Sequence, residues 1–382
     1  MTSSTTLHID VREDETTRKL VRLWQDLLGV GSIGLNENYF ELGGDSILAV
    51  HLFAEIEKVF KVKLPVASLY ETPTIEELAQ VLRGEAAVAG WSSLVAIQPA
   101  GSRLPFFCMH GAGGNVLIYR DLARHLGPDQ PFYGLQSQGL DGSCPPLTTV
   151  EEMAAVYVKE IRSVQPHGPY FLGGYCGGGT IAFEVAQQLR VEGEEADLLA
   201  LFDTMNWSKA RPFSLWARNY YLAQRLAFHV ANFFRLDSEG KSKFLLGKIQ
   251  VLRSRVPVWR DMLLARLDRR SRTEGPPSRL LARIWEANDR ACSNYIPKPY
   301  PGSVTDFRPI KQYRIFNQPN LKWDRLALEG QEVITLPVYP AGMLVEPFVR
   351  HLAAALRMSI DTAIRRHKRV DDEPQVSGSI NG

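Results

Sequence analysis

Two segments of this chain place a residue capable of covalent chemistry in a glycine-rich turn just before a helical pattern. In Leu42-Gly43-Gly44-Asp45-Ser46-Ile47, two glycines let the backbone turn tightly before a helix whose first turn carries Ser46. A phosphodiester on Ser46 would sit at the positive end of that helix, although an ordinary capped helix start has the same pattern. In Gly174-Tyr175-Cys176-Gly177-Gly178, a cysteine follows the apolar run PYFLG and precedes a second helical pattern. That context fits a strand-to-helix elbow whose small flanking residues let a nucleophile protrude, against the plainer reading of a buried cysteine in a turn. The loop His110-Gly111-Ala112-Gly113-Gly114 follows another apolar run and can present backbone N–H groups. Ala112, together with the N–H of Gly177, would form an oxyanion hole. Asp203 ends the apolar run after the elbow helix, 27 residues beyond Cys176.

The elements that must hold these residues fall into two groups. Residues 15–28 put Leu20, Leu23, Trp24, Leu27 and Leu28 on one helical face, and Gly29 stops the helix. Residues 46–60 repeat Ile47, Val50, Phe53, Ile56 and Phe60 at helical spacing, with Asp45 placed to cap them. Residues 74–82 form a further helix after Pro73, capped by Thr72 or Thr74. These three helices predict a small all-helical bundle over 12–84, then a weakly patterned linker, GEAAVAGWSS, centred on 85–93.

From residue 94 the pattern changes. Apolar runs at 106–109, 131–135, 170–172, 198–202, 304–307 and 332–336 alternate with helical stretches at 115–126, 149–164 and 180–189. This predicts an α/β domain over 94–366 with a parallel sheet covered on both faces. Residues 207–300, rich in Arg, Leu and aromatics, interrupt the alternation as a helical insertion. A helix over 345–366 closes the domain, and 367–382 is a polar tail.

With its flanks NYFELGGDSI and LYETPTIEELA, the first segment resembles the peptidyl carrier proteins of nonribosomal peptide synthetases, from about Thr16 to Leu82. The resemblance implies a small four-helix carrier bundle in which Ser46 carries 4′-phosphopantetheine, installed by a phosphopantetheinyl transferase. The second region, through EEMAAVYVKEIRSVQPHGPYFLGGYCGGG and GMLVEPFVRHLAAAL, is similar to type I thioesterases of the α/β-hydrolase fold, from about Leu94 to Arg357. It implies Cys176 as nucleophile, Asp203 as the triad carboxylate, Ala112 and Gly177 as oxyanion donors, and 207–300 as a lid. Two departures matter. The family usually has serine at the elbow, and its histidine lies three residues before the Met-Leu of the closing loop, where this chain has Pro340.

A serine hydroxyl needs a partner base, whereas a thiol at a helix N-terminus can populate thiolate without one, so cysteine is the nucleophile that could survive the loss of histidine. Transfer between thioesters needs mainly geometry and an oxyanion hole, but release to water calls for a general base. Hydrolysis is therefore expected to be slow, and attack by an amine, including cyclisation, is an alternative outcome. His110, in the oxyanion loop, is the candidate substitute base. His351, His229 and Glu346 have weaker positions, and Cys108, Cys144 and Cys292 read as structural. No metal site is expected.

The 382 residues carry a formal net charge of +2, unevenly spread. Residues 10–83 hold 13 acidic and 8 basic residues, and 207–298 hold 7 acidic and 19 basic. Basic residues scattered through apolar helical periodicity, without a nucleic-acid module, argue against nucleic-acid binding. Electrostatic docking between acidic and basic parts is one expectation, and solvated helix faces the other. No run approaches a membrane span and the polar start does not read as a signal peptide, which predicts a cytoplasmic protein. No adenylation, condensation or ketosynthase segment fits in these 382 residues, so acyl loading by upstream modules of peptide or polyketide synthesis is expected in trans, unless the chain is a fragment of a longer protein. The expected function is therefore a carrier–thioesterase didomain, with an acyl-binding or docking module as the alternative that Pro340 permits.

Overall fold

The computed structural model describes residues 14–44, 46–88, 90–206, 215–236, 241, 277–313, 323–340 and 342–372, the side chains of 46–47, 215–218, 277–279 and 368–372 excepted. The chain divides between Trp91 and Ser92.

The first unit contains α1 (Glu15–Leu28), α2 (Ser46–Phe60), a 3₁₀ helix (Val66–Tyr70) and α3 (Ile75–Leu82). The short 3₁₀ segment is the fourth helix of the expected four. Asp14 caps α1 by accepting the Thr17 N–H at 2.6 Å, and Gly29, at φ 68°, closes it. Thr74 caps α3 in a reciprocal capping box with Glu77, whereas the Thr72 hydroxyl donates to the Ser68 carbonyl. Asp45, the expected cap of α2, lies outside the described residues. Leu20, Trp24 and Leu28 are buried while Leu23 and Leu27 are only partly so, a narrower stripe than the periodicity suggested. Leu52, Ile56, Leu69 and Leu78 are buried in the same unit, and Trp24 meets Tyr39 edge-on at 5.3 Å. Arg83 bonds Asp14 at 2.7 Å and Glu85 at 2.8 Å, tying the end of α3 to the start of α1.

In the second unit the strands are β1 (Leu94–Gln98), β2 (Phe106–Met109), β3 (Phe132–Leu135), β4 (Tyr170–Tyr175), β5 (Ala196–Phe202), β6 (Val304–Pro309) and β7 (Gln331–Leu336), in the sheet order β1-β3-β2-β4-β5-β6-β7. β2 to β7 run parallel, and β1 pairs antiparallel to β3. β2 to β7 form the expected parallel sheet, and β1 adds an antiparallel edge strand whose five residues, LVAIQ, are too short to stand out as an apolar run. The covering helices are α4 (Arg120–Leu126), α5 (Val150–Val164), α6 (Gly177–Val191) and the closing helix α9 (Val349–Asp372). α6 begins three residues before the expected start because glycines carry no hydrophobic signal.

The closing helix departs from expectation at both ends. It starts at Val349, after Pro347, which cannot join a helix interior, and it continues six residues into the expected tail. His367 Nδ1 lies 3.0 Å from Asp197 Oδ2, holding that extension against β5. Residues 373–382 lie outside the described residues.

Of the insertion, α7 (Leu215–Phe234) and α8 (Pro277–Asn294) are described. Trp207, Phe213 and Trp259, among the aromatics of that insertion, lie outside the described residues. Tyr221 packs on Tyr313 at 4.7 Å between ring centroids, and Phe228 lies 5.2 Å from both Tyr313 and Tyr339, which is helix-packing. Among the described residues, no helix is long and apolar enough to cross a membrane, and no group of three His, Cys, Asp or Glu could hold a metal ion.

Candidate active site

Because β2, β4 and β5 are parallel neighbours, their C-terminal ends bring loop 110–114, Cys176 and Asp203 to one edge of the sheet. Cys176 joins β4 to α6 at φ 56° and ψ −119°, a left-handed conformation that costs a non-glycine residue about 1–3 kcal/mol. Its N–H donates to the Phe202 carbonyl at 3.0 Å, and its carbonyl accepts from Gly179 at 3.2 Å. The glycines around it are steric necessities. A Cβ on Gly174 would stand 2.2 Å from the backbone of Gly178, one on Gly178 would stand 2.3 Å from the Met109 carbonyl oxygen, and one on Gly179 would meet Thr204 at 2.1 Å.

The same contacts press loop 110–114 against the turn. Ala112 gives its carbonyl to Asn288 Nδ2 at 3.1 Å, and among the described residues nothing accepts the Ala112 N–H. The Gly177 N–H is donated to the Cys176 sulfur. These two amides are the donors named for the oxyanion hole.

His110 is fully buried, with Nδ1 2.7 Å from the Gly111 carbonyl and Nε2 2.8 Å from the Tyr157 hydroxyl. Burial depresses its pKa to about 4. The neutral ring with Nδ1–H donating to Gly111 leaves Nε2 to accept from Tyr157, so neither nitrogen is offered to Cys176. The expectation that His110 could serve as substitute base is not met by this geometry; the ring braces the oxyanion loop instead.

The carboxylate end of the expected triad is present but otherwise engaged. Asp203 follows β5 at φ 45°, and its carboxylate accepts a hydrogen bond from the Gln312 side chain. Burial raises Asp203 to about 6, and the neighbouring Asp306 carboxylate adds to the rise. Pro340 is buried in a turn clamped to α7, where Asn232 Oδ1 accepts the Tyr339 N–H at 3.1 Å and Arg235 donates to the Pro337 carbonyl. Glu346 is held by Arg124, His125 and Arg350, and His351 is exposed on α9.

Cys176 is partly buried, and burial pushes its thiol up to about 11. The Asp203 and Asp289 carboxylates add to the rise, against the opposing Gly177 amide. The expected thiolate is therefore not supported: desolvation and two anions outweigh the helix N-terminus.

Residues of α8 complete the site without having signalled it in the sequence. Asn288 holds the Ala112 carbonyl, Asp289 acts on the Cys176 thiol, and Cys292 Sγ lies 3.7 Å from the Gly177 carbonyl oxygen. Cys292, read as having no supporting context, packs directly on the elbow. Only the register of α8 across the sheet edge reveals this, since the sequence offered an Arg-rich amphipathic helix and nothing more. A cleft of about 710 Å³ between β5–β7 and α9 includes none of these residues.

In the first unit, α2 begins at Ser46, two residues after Gly44. Gly43 has φ 90°, and a Cβ on Gly44 would stand 2.3 Å from the Tyr39 ring. Gly44 is therefore packed hard against the Tyr39 ring, which leaves no room for a side chain there.

Residues 18–82 match the phosphopantetheine attachment site family, and residues 104–268 match the thioesterase domain family. Malpibaldin synthetase of Mortierella alpina is 40% identical over 187 residues, covering 48% of this chain and 3% of that protein. The dimodular nonribosomal peptide synthase of Bacillus subtilis (strain 168) is 38% identical over 184 residues, covering 48% of this chain and 8% of that protein. This chain thus spans less than a tenth of the length of either relative. The crystal structure of holo-AB3403, a four-domain nonribosomal peptide synthetase bound to AMP and glycine, is similar at a TM-score of 0.55 and 25% identity, over 94% of this chain and 27% of that one. The fold is thus a helical carrier followed by an α/β-hydrolase sheet with a helical insertion. The chain joins a region that matches the phosphopantetheine attachment site family to a region that matches the thioesterase domain family, and is similar there to nonribosomal peptide synthetases.

Proposed function

We propose that this chain holds an acyl or peptidyl chain on a carrier domain spanning 12–84 and passes it across linker 85–93 to Cys176 of a thioesterase domain spanning 94–366, for release by water or an amine. The observation that carries the reading is Cys176 at a strained elbow beneath the backbone of loop 110–114. The arm, attached at Ser46, would supply a flexible thiol that bears the chain as a thioester. Tyr39 and Gly44 fix the turn that presents Ser46. Cys176 takes up the acyl group, and the amides of Ala112 and Gly177 stabilise the oxyanion formed when the carbonyl is attacked. The partners this implies are a phosphopantetheinyl transferase and upstream adenylation, condensation or polyketide synthase modules, in the cytoplasm.

A second reading, a carrier with an acyl-binding or docking domain, rests on Pro340 and on the engagement of Asp203 by Gln312. Intact-protein mass spectrometry separates the two after loading with octanoyl-coenzyme A and a phosphopantetheinyl transferase. An acyl adduct that depends on Cys176, with free acid or amide released, is the expected result. An adduct confined to Ser46 and identical in Cys176→Ala overturns it in favour of the docking module.

A further inference from the structure

Without histidine at position 340, the reaction at Cys176 lacks its usual proton acceptor, and α8 brings a carboxylate to the same place. Trp285, Asp289 and Cys292 are spaced four and three apart and so share one face of α8. The outer two lie near loop 110–114 and near Gly177. The Trp285 ring lies 3.8 Å from where a Cβ on Gly113 would stand, and Cys292 Sγ lies 3.7 Å from the Gly177 carbonyl oxygen. Asn288, adjacent to Asp289, holds the Ala112 carbonyl at 3.1 Å. Asp289 thus shares a helix face with residues that reach loop 110–114 and Gly177, and its charge acts on the Cys176 thiol.

The two carboxylates near the sulfur differ in what holds them. Asp203 accepts the Gln312 side chain, whereas no described residue donates a hydrogen bond to Asp289 or pairs with it. Asp289 is also exposed, so a water or amine can reach it. We propose that Asp289 is the general base of this site, taking a proton from the nucleophile that attacks the acyl group on Cys176. The inference rests on the reading of Cys176 as the acylated residue.

The step balances with the chain's own groups. As the new C–O or C–N bond forms, the proton of the water or amine passes to the Asp289 carboxylate, and the Ala112 and Gly177 amides hold the oxyanion. Collapse breaks the C–S bond, and the proton returns from Asp289 to the departing Cys176 sulfur, restoring thiol and carboxylate. Partial desolvation raises Asp289 above the ordinary carboxylate range, which strengthens it as a base.

The test uses the full chain acylated with p-nitrophenyl octanoate, with the lifetime of octanoyl-Cys176 followed by intact mass. Asp289→Asn should lengthen that lifetime by about 100-fold or more while the adduct still forms. Asp289→Ala should be rescued by formate in proportion to its concentration, which a merely structural role would not permit. Deacylation of Asp289→Asn at the parent rate, slowing without formate rescue, or a parent adduct that never turns over each overturns the assignment. Absence of any adduct on Cys176 in the unsubstituted chain overturns the nucleophile reading itself, and is seen before Asp289 is touched.

Discussion

Alkylation of Cys176 by iodoacetamide should be slow at neutral pH and should climb about tenfold per pH unit up to pH 10 without levelling off. The thiolate is the reacting species, and the Cys176 thiol is raised from 9.0 to about 11 by burial and by the Asp203 and Asp289 carboxylates. At pH 7 a thiol that titrates at about 11 rather than 9.0 is only about 0.01% thiolate instead of about 1%, a roughly hundredfold loss of reactivity. Asp203→Asn should recover more of that loss than Asp289→Asn, because the Asp203 charge weighs more heavily on the sulfur. The assay is peptide-level mass spectrometry of the fragment containing Cys176, sampled over time between pH 7 and 10. A rate that levels off at or below pH 9 would refute the reasoning. It would mean that the Gly177 amide and the α6 N-terminus dominate after all, and that the nucleophile needs no base to ionise.

Pro340→His combined with Gln312→Ala should speed release of an acyl group from Cys176 by roughly 10²-fold, measured as loss of the acyl-enzyme mass; Pro340→His alone should gain less, because Gln312 still holds Asp203. Asp203 titrates at about 6 in the folded chain against 3.8 as its reference, so the folded state binds the extra proton between those values and stability falls as pH rises from about 4 to 6. Asp203→Asn should therefore raise Tm at pH 8, by no more than about 3 kcal/mol of stability, with the gain shrinking as pH drops through 6 towards 4; a gain independent of pH would contradict the burial cost. Gly44→Ala forces a Cβ to within 2.3 Å of the Tyr39 ring, and should lower the melting temperature of the carrier and its rate of phosphopantetheinylation together.

The signals that survived folding unchanged are those set by local chemistry. Gly29 ends α1 and Thr74 begins α3 through contacts within a few residues, so Gly29 was legible from spacing and the α3 cap was narrowed to Thr72 or Thr74. The run PYFLGGYCGGG likewise announces a strand, a turn and a helix, because only glycine fits where backbone crosses backbone at Gly174 and Gly178. Pro340 was visible as the absence of a base for the same reason: an imidazole cannot be hidden in a proline. The state of the groups at the site was decided elsewhere. His110, adjacent in sequence to the oxyanion loop, is withdrawn into the core by Tyr157, which lies 47 residues away. Gln312 reaches Asp203 from beyond β6, and Asp289 and Cys292 arrive at the elbow on a helix more than 110 residues after it. The order of strands in the sheet and the path of α8 over its edge bring these groups together, and neither is encoded in any window short enough to read as a motif. The charge state of Cys176 follows from that assembly, since burial and two distant carboxylates set it against what its own helix would favour.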